Sequence, residues 1–363
     1  MSPLVRRLCT AAFFASALPG PATAQPVEPV LALAKKERQP LLDTLKELVS
    51  IETGSRDLEG LDRAAKLIAG RLSALGGKVV LVDPTEGAYR MILHVLAMLK
   101  AMDFRSYGLV TVLVNSDEEM SSPGSRHLLT RLGAEHDAVF SCESSRVDSD
   151  KLALATAGIA SVILKVKGRA SHAGSAPEQG RNALYELSHQ MLQTRDLSNP
   201  ATGLKMNWTL ASGGSVRNAI PAEASATADV RVLRVSDYDG IERAVRERIR
   251  NKLIPDTQVE MTFERRRPPL EATAASRALG EHALRIYAEL GKELVVDALA
   301  EGGGTDAAFA SLNTKAPVIE RFGLQGFGAH SNDAEYVAVD SIEPRLYLLA
   351  RLIMDVSQGR DRK

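Results

Sequence analysis

Six consecutive residues, Leu109-Val110-Thr111-Val112-Leu113-Val114, are apolar or β-branched, and the run ends in Asn115-Ser116-Asp117-Glu118-Glu119. A run without polar alternation reads as a strand covered on both faces, an environment that a parallel sheet between helix layers provides. The neighbouring segments agree. Leu41, Leu42, Leu45, Leu48 and Val49 form a helical stripe, and Leu61, Ala64, Ala65, Ile68, Leu72 and Leu75 form a second one, stopped by Gly76-Gly77. Val79–Val82 reads as another buried strand, and Met91–Met102 as a third apolar helix. This alternation predicts an α/β layered domain with a largely parallel sheet.

The texture changes near Gly158. A strand at Val162–Lys167, a helix around Asn182–Leu192, strands at Met206–Leu210 and Ala226–Leu233, a helix at Asp237–Lys252 and a strand at Val259–Phe263 give the order β-α-β-β-α-β. That order predicts a ferredoxin-like α+β unit over residues 158–268, inserted between residues 25–157 and 269–363 of the first domain. Helix–strand alternation resumes after Pro268-Pro269, with helices near Ala274–Leu290 and Ile342–Val356. A chain of 363 residues is long enough for two cores. Its formal net charge of zero argues against nucleic acid or an anionic membrane as a partner.

Residues 1–24 are of another kind. Arg6 and Arg7 precede an apolar stretch from Leu8 to Leu18, and Pro21-Ala22-Thr23-Ala24 follows before Gln25. This pattern predicts a secretory signal peptide cleaved after Ala24, hence a periplasmic or secreted protein. The apolar run is too short to span a bilayer. Cleavage would leave Cys142 as the lone cysteine, so no internal disulfide is expected.

Acids at the carboxyl end of a buried strand stand where α/β folds keep their sites, and adjacent carboxylates are commonly held together by a cation. Taken alone, Asp117-Glu118-Glu119 fits a solvated acidic loop equally well. Glu143 ends a second strand-like run, Ala138–Cys142, and His330 sits in the loop Gly326-Phe327-Gly328-Ala329-His330-Ser331. Glu119, Glu143 and His330 together form a plausible oxygen and nitrogen set for zinc, although each alone is more often structural. His94, His127, His136, His189 and His282 stand in helical or turn contexts without evident acid partners and read as structural.

Several motifs in the same order point further: Val49–Gly54, Asn115–Glu119, Gly168–Gly174, Asn218-Ala219-Ile220-Pro221, Gly302-Gly303-Gly304-Thr305-Asp306-Ala307 and Gly328–Tyr336. In these the chain resembles the bacterial glutamate carboxypeptidases, within the co-catalytic zinc exopeptidase family that includes aminoacylase and acetylornithine deacetylase. The resemblance runs from about Leu41 to Met354. It implies a catalytic domain carrying two zinc ions, an inserted dimerisation domain, and release of C-terminal glutamate from N-acyl or folate-type substrates by a homodimer. Residue by residue it implies Glu118 as general base, Glu119, Glu143 and His330 as metal ligands, and His172 as a donor to the oxyanion across the dimer interface. It implies Asn218, Arg231, Arg267 and Gly304 as the binding set for the substrate's free carboxylate, which suits the two-pronged arginine donor. Arg265 and Arg266 stand beside Arg267, so that last position can slip within the run, and a solvated basic strand end is the alternative.

One block of the family pattern has no counterpart. The family carries a His-x-Asp strand end and a later Asp-Asp pair that bridges the metals, whereas no histidine here is followed two positions later by aspartate. After Val82 the chain passes through residues 83–90 directly into Met91–Met102, so the missing segment falls near residue 90. Two zinc ions about 3.5–4 Å apart would then lack their bridging carboxylate. Fewer than two zinc ions, impaired hydrolysis and an incomplete sheet are expected. The alternative is a catalytically dead relative that acts as a dimeric binding protein.

Overall fold

The computed structural model describes residues 25–51, 57–80, 90–115, 117–300, 303–328 and 334–361. The segment 1–24, with its expected signal peptide, lies outside them, as do Val82, Gly302 and His330.

Helix α1 (Glu28–Val49) opens on a proline in its first turn and α2 (Leu58–Ala74) on Asp57, whose carboxylate accepts the Gly60 N–H at 2.9 Å. These are helix-start devices, since the first turn leaves its N–H groups unpaired. Gly76, at φ +94°, turns the chain out of α2 while the Gly77 N–H bonds back to the Leu72 carbonyl. Helix α3 (Arg90–Ala101) follows, then α4 (Arg126–Glu135) and three short strands, β1 (Val139–Phe140), β2 (Ser145–Arg146) and β3 (Lys151–Ala153).

The inserted unit comprises β4 (Gly158–Lys167), α5 (Ala183–Gln193), β5 (Lys205–Gly213), β6 (Glu223–Val232), α6 (Asp237–Arg248) and β7 (Gln258–Arg267). Its antiparallel sheet has the order β5-β6-β4-β7, the ferredoxin-like arrangement the sequence predicts. One face, with Ala160, Val162, Leu164 and Val166 of β4 and Ala226, Ala228, Val230 and Val232 of β6, is buried with Leu187 of α5 and Ile241 and Val245 of α6. Strict alternation along β4 and β6 sends Ser161, Asp229 and Arg231 to the opposite face.

The chain then returns through α7 (Ala274–Ala288), β8 (Val295–Asp297), α8 (Ala307–Ser311), β9 (Val318–Ile319), β10 (Gln325–Phe327), β11 (Tyr336–Val337) and α9 (Ile342–Ser357). Residues of α1, α3, α7 and α9 make the main core, with Leu346, Tyr347, Leu348, Leu349 and Leu352 of α9 fully covered. Among the described residues, no helix is long and apolar enough to cross a membrane.

The parallel sheet departs from expectation. β1 pairs with β9, β2 with β10, and β3 with β8, all parallel, but only as sheets of two or three strands. The expected strand at Leu109–Val114, and the described residues Val79 and Val80 of the other, are not in strands and have no ladder partners, and Leu109 and Val80 are 70% and 72% exposed. An apolar run becomes a strand only when neighbours offer backbone groups to it, and these two runs flank the region where the sequence lacks a block.

Helix α4 follows the acidic loop and packs on α8. Gly133 is the point of closest approach, because a Cβ there would lie 2.0 Å from the Ala310 carbonyl oxygen. Gly133→Ala gains up to about 1 kcal/mol of helix propensity but must push backbone away, which costs about 1–3 kcal/mol. The clash wins, so a lower melting temperature is expected; a thermal melt equal to or above the parent's would contradict this packing.

Candidate functional site

The acidic loop is built around two buried aspartates. Asp117 accepts the N–H groups of Gly124 at 2.6 Å and Ser125 at 3.0 Å, the Ser125 hydroxyl at 2.5 Å and the Asn115 amide at 3.2 Å. Burial works against its charge, but these donors win and hold its carboxyl below the usual range. Asp306, at the start of α8, accepts Ser122 Oγ and Asn115 Nδ2. Between them Ser121 and Ser122 take left-handed conformations, at φ 67° and 53°. Such strain persists only where surroundings fix it, and here the fully buried Ser122 is tied to Asp306. Residues Glu118–Met120 form a single 3₁₀ turn. With three residues per turn, the neighbouring Glu118 and Glu119 side chains leave the backbone about 120° apart.

Glu118 is held by Arg267, whose guanidinium donates to both its carboxylate and its carbonyl oxygen and lies 3.9 Å from Asp306. Arg267 is 5% exposed at the end of β7, opposite Ile159 of β4. Gly304 makes room for it, since a Cβ there would stand 2.6 Å from Arg267 Cδ and 3.0 Å from Ile159 Cδ1. Burial pushes the Glu118 carboxyl up, the nearby Arg267 charge opposes that, and the upward shift prevails. Register singles out Arg267 from the basic run: Arg265 and Arg266 are exposed, and Arg265 pairs with Asp239 and Glu242.

Glu143 is carried on residues zipped to the β9–β10 connection, with Ser141 N bonding Ile319 O and Gly323 N bonding Glu143 O, both at 2.9 Å. Gly323 permits this, because its Cβ would lie 2.4 Å from the Cys142 carbonyl oxygen. Part of Glu143 remains open to water, yet crowding by protein and by Glu320, Glu118, Asp306 and Glu119 pushes its carboxyl up to about 8. Glu320 is buried and accepts a hydrogen bond from Thr305. Burial and the neighbouring acids raise the Cys142 thiol to about 12, which leaves it inert.

Glu118, Glu119, Glu143, Arg267 and Gly304 are thus brought to one region with Asp306 and Glu320. Arg231 stands in the same row of the sheet, one strand beyond Ile159, with its Nε 2.8 Å from Asp229. His172 and Asn218 are elsewhere. They are adjacent to each other, joined by the bridge His172–Ala219 and the bond from Ala173 N to Asn218 O at 2.8 Å, beyond the opposite end of β4 and β6. From Ile159 to Lys167 the strand alone extends about 26 Å at about 3.3 Å per residue. His172 is exposed, and its Nδ1 accepts two backbone N–H groups, from Gly174 and Ser175 at 3.1 Å, so in the neutral ring the proton sits on Nε2.

Among the described residues no three His, Cys, Asp or Glu side chains converge as a metal set; the third expected ligand, His330, lies outside them. The described acids do not complete a two-metal centre, because Glu119 and Glu143 are not joined by a third described ligand and Glu118 is committed to Arg267. Asp306, Ser122 and Glu320 carry no sequence signal for the site beyond the place of Asp306 inside the glycine-rich motif that holds Gly304, and Asp117, one of the three adjacent acids, serves as a structural acceptor. Two histidines taken as lacking acid partners have them: His94 Nδ1 is 2.7 Å from Glu37, and His282 Nε2 is 2.9 Å from Asp355.

An interrupted parallel layer, an inserted ferredoxin-like sheet and acids gathered at their junction define a two-domain exopeptidase fold. The inserted part, residues 154–257, matches the peptidase dimerisation domain. Carboxypeptidase G2 of Pseudomonas sp. (strain RS-16) is 38% identical, in a match spanning 99% of this chain and 100% of that one. Solved structures with the same fold include an aminopeptidase from Bacillus cereus (TM-score 0.72, 15% identity, 88% of this chain and 98% of that one) and a dinuclear metal-binding M20 peptidase from Bacillus subtilis (TM-score 0.66, 14%, 89% and 99%). The chain belongs to the M20 family of metallopeptidases. The match to carboxypeptidase G2 runs over 417 aligned residues, at least 54 more than the 363 of this chain, so the relative carries residues that this chain lacks.

Proposed function

We propose that this protein descends from a metallo-carboxypeptidase acting on N-acyl amino acids with a C-terminal glutamate, and that its hydrolysis is impaired by loss of part of the metal-holding segment near residue 90. The carrying observation is Arg267 beside Glu118: an arginine suited to a carboxylate and a carboxylate suited to proton transfer share one buried corner. When bound, zinc would activate the attacking water, but the described donor set does not hold it. His172 and Asn218 would serve the pocket of a second copy, for which the matched dimerisation domain and the exposed Leu210 on the edge strand β5 speak. Export to the periplasm or medium with a mature start at Gln25 is part of the same proposal.

Turnover of a folate-type glutamate conjugate is expected to be lower than that of a complete relative by about three orders of magnitude or more, with fewer than two zinc ions per chain after dialysis. Two firmly held zinc ions with ordinary turnover would sink the impairment. The contact between Arg267 and Glu118 also favours a binding role without hydrolysis, and calorimetric titration showing tight conjugate binding without turnover would select that reading.

A further inference from the structure

We propose that Arg267 is the resident cation of this pocket: its guanidinium neutralises Glu118 and Asp306 from within the chain, and the fold is complete without a metal ion at those carboxylates. Four observations meet here. First, Arg267 is 5% exposed, and a buried guanidinium persists only against an anion. Second, it engages Glu118 twice, at carboxylate and carbonyl, and stands 3.9 Å from Asp306. Third, the place is shaped for it, because Gly304 has no Cβ where one would meet Arg267 Cδ at 2.6 Å. Fourth, Tyr238 Oη donates to the Arg267 carbonyl, fixing the strand end from which the side chain departs.

The consequence reaches the loop. Asp306 binds Ser122 and Asn115, and these hold the strained turn after Glu118–Met120. A positive charge between Glu118 and Asp306 therefore links β7 of the inserted unit to the acidic loop and to α8. An external carboxylate reaches Arg267 only by displacing Glu118, so the pocket is closed by its own base. The inference goes beyond the substrate proposed above and does not depend on it.

The test uses full-length protein and thermal melts, with metal content measured after dialysis. Wild type is expected to melt within about 1 °C of its buffer value in EDTA and in added zinc chloride, since a ligand that is not resident adds no linkage stabilisation. Arg267→Met is expected to lower the melting temperature by roughly 5 °C or more, because it strands the buried Asp306 and the half-buried Glu118. Glu118→Gln, which keeps the shape, serves if Arg267→Met does not fold, and it too is expected to melt lower than wild type. A clear drop of the wild-type melt in EDTA that Glu118→Gln abolishes, or zinc retained by wild type and lost in Glu118→Gln, overturns the proposal. So does an unchanged melt in both variants.

Discussion

Replacing Arg345 by methionine is expected to destabilise the protein by about 3–5 kcal/mol, the range for removing one partner of a buried ion pair. Arg345 lies on α9 and is fully buried. Its guanidinium donates to the Arg321 carbonyl at 2.8 Å, to Ser145 Oγ at 2.8 Å and to the Lys151 carbonyl at 3.3 Å, and it pairs with Asp150. One side chain thus joins the C-terminal helix to β2, β3 and the turn after β9, the same turn that positions Glu143. The variant keeps the apolar stem but leaves Asp150 with only the Tyr287 hydroxyl among these donors. Urea unfolding measures the loss, and adding Asp150→Asn is expected to recover part of it because the stranded charge is gone. A midpoint matching wild type for Arg345→Met would mean that this junction is held by packing alone.

The second large effect depends on pH. Asp355, on the same helix, accepts His282 Nε2 at 2.9 Å and lies 3.4 Å from Arg351. Burial alone would raise its carboxyl, but the His282 hydrogen bond and the Arg351 charge outweigh that and hold it below the ordinary aspartate value. Arg285 donates to His282 Nδ1 at 3.1 Å, so a neutral imidazole suffices to present the Nε2 proton to Asp355. A depressed carboxyl stabilises the fold above its unfolded value, near pH 4, and that stability is lost as pH falls through the lower folded value. Asp355→Asn is therefore expected to cost about 2 kcal/mol at pH 7, with a smaller gap to wild type at pH 3. Urea titrations at both pH values check this; a gap of equal size at the two would remove the charge from the explanation.

Much of the fold was legible because local pattern and tertiary environment agree. The stripes at Leu41–Val49 and Leu61–Leu75 are helices, and Asn182 caps α5 by accepting the Leu184 and Tyr185 N–H groups. The inserted sheet could be read because each strand finds its partner inside the same 110-residue stretch, give or take a few. Leu109–Val114 could not. Its composition demands a strand, but a strand is a relation, and what would pair with it is not supplied nearby. The site was legible only in part for a similar reason. Glu118 and Glu119 announce themselves as neighbours, whereas the Arg267 contact spans 149 positions and the Asn115–Asp306 contact spans 191. Asp117 looks like a third acid of a metal cluster and is instead a structural acceptor, a role visible only once Gly124 and Ser125 fold back on it. His94 and His282 hid their acids for the same reason, one 57 positions away and the other 73.

The bare run at Leu109–Val114 also sets a timescale. Leu109 and Thr111 are exposed, Val110 packs on the main core, and the backbone of all six residues is unladdered, with no charge and no proline in the run, a composition that pairs readily with a copy of itself. Such pairing is a second-order event. Diluting the protein lengthens its useful life and concentrating it shortens that life, even at a temperature where each molecule by itself stays folded. Shelf life here is a question of crowd size before it is one of heat.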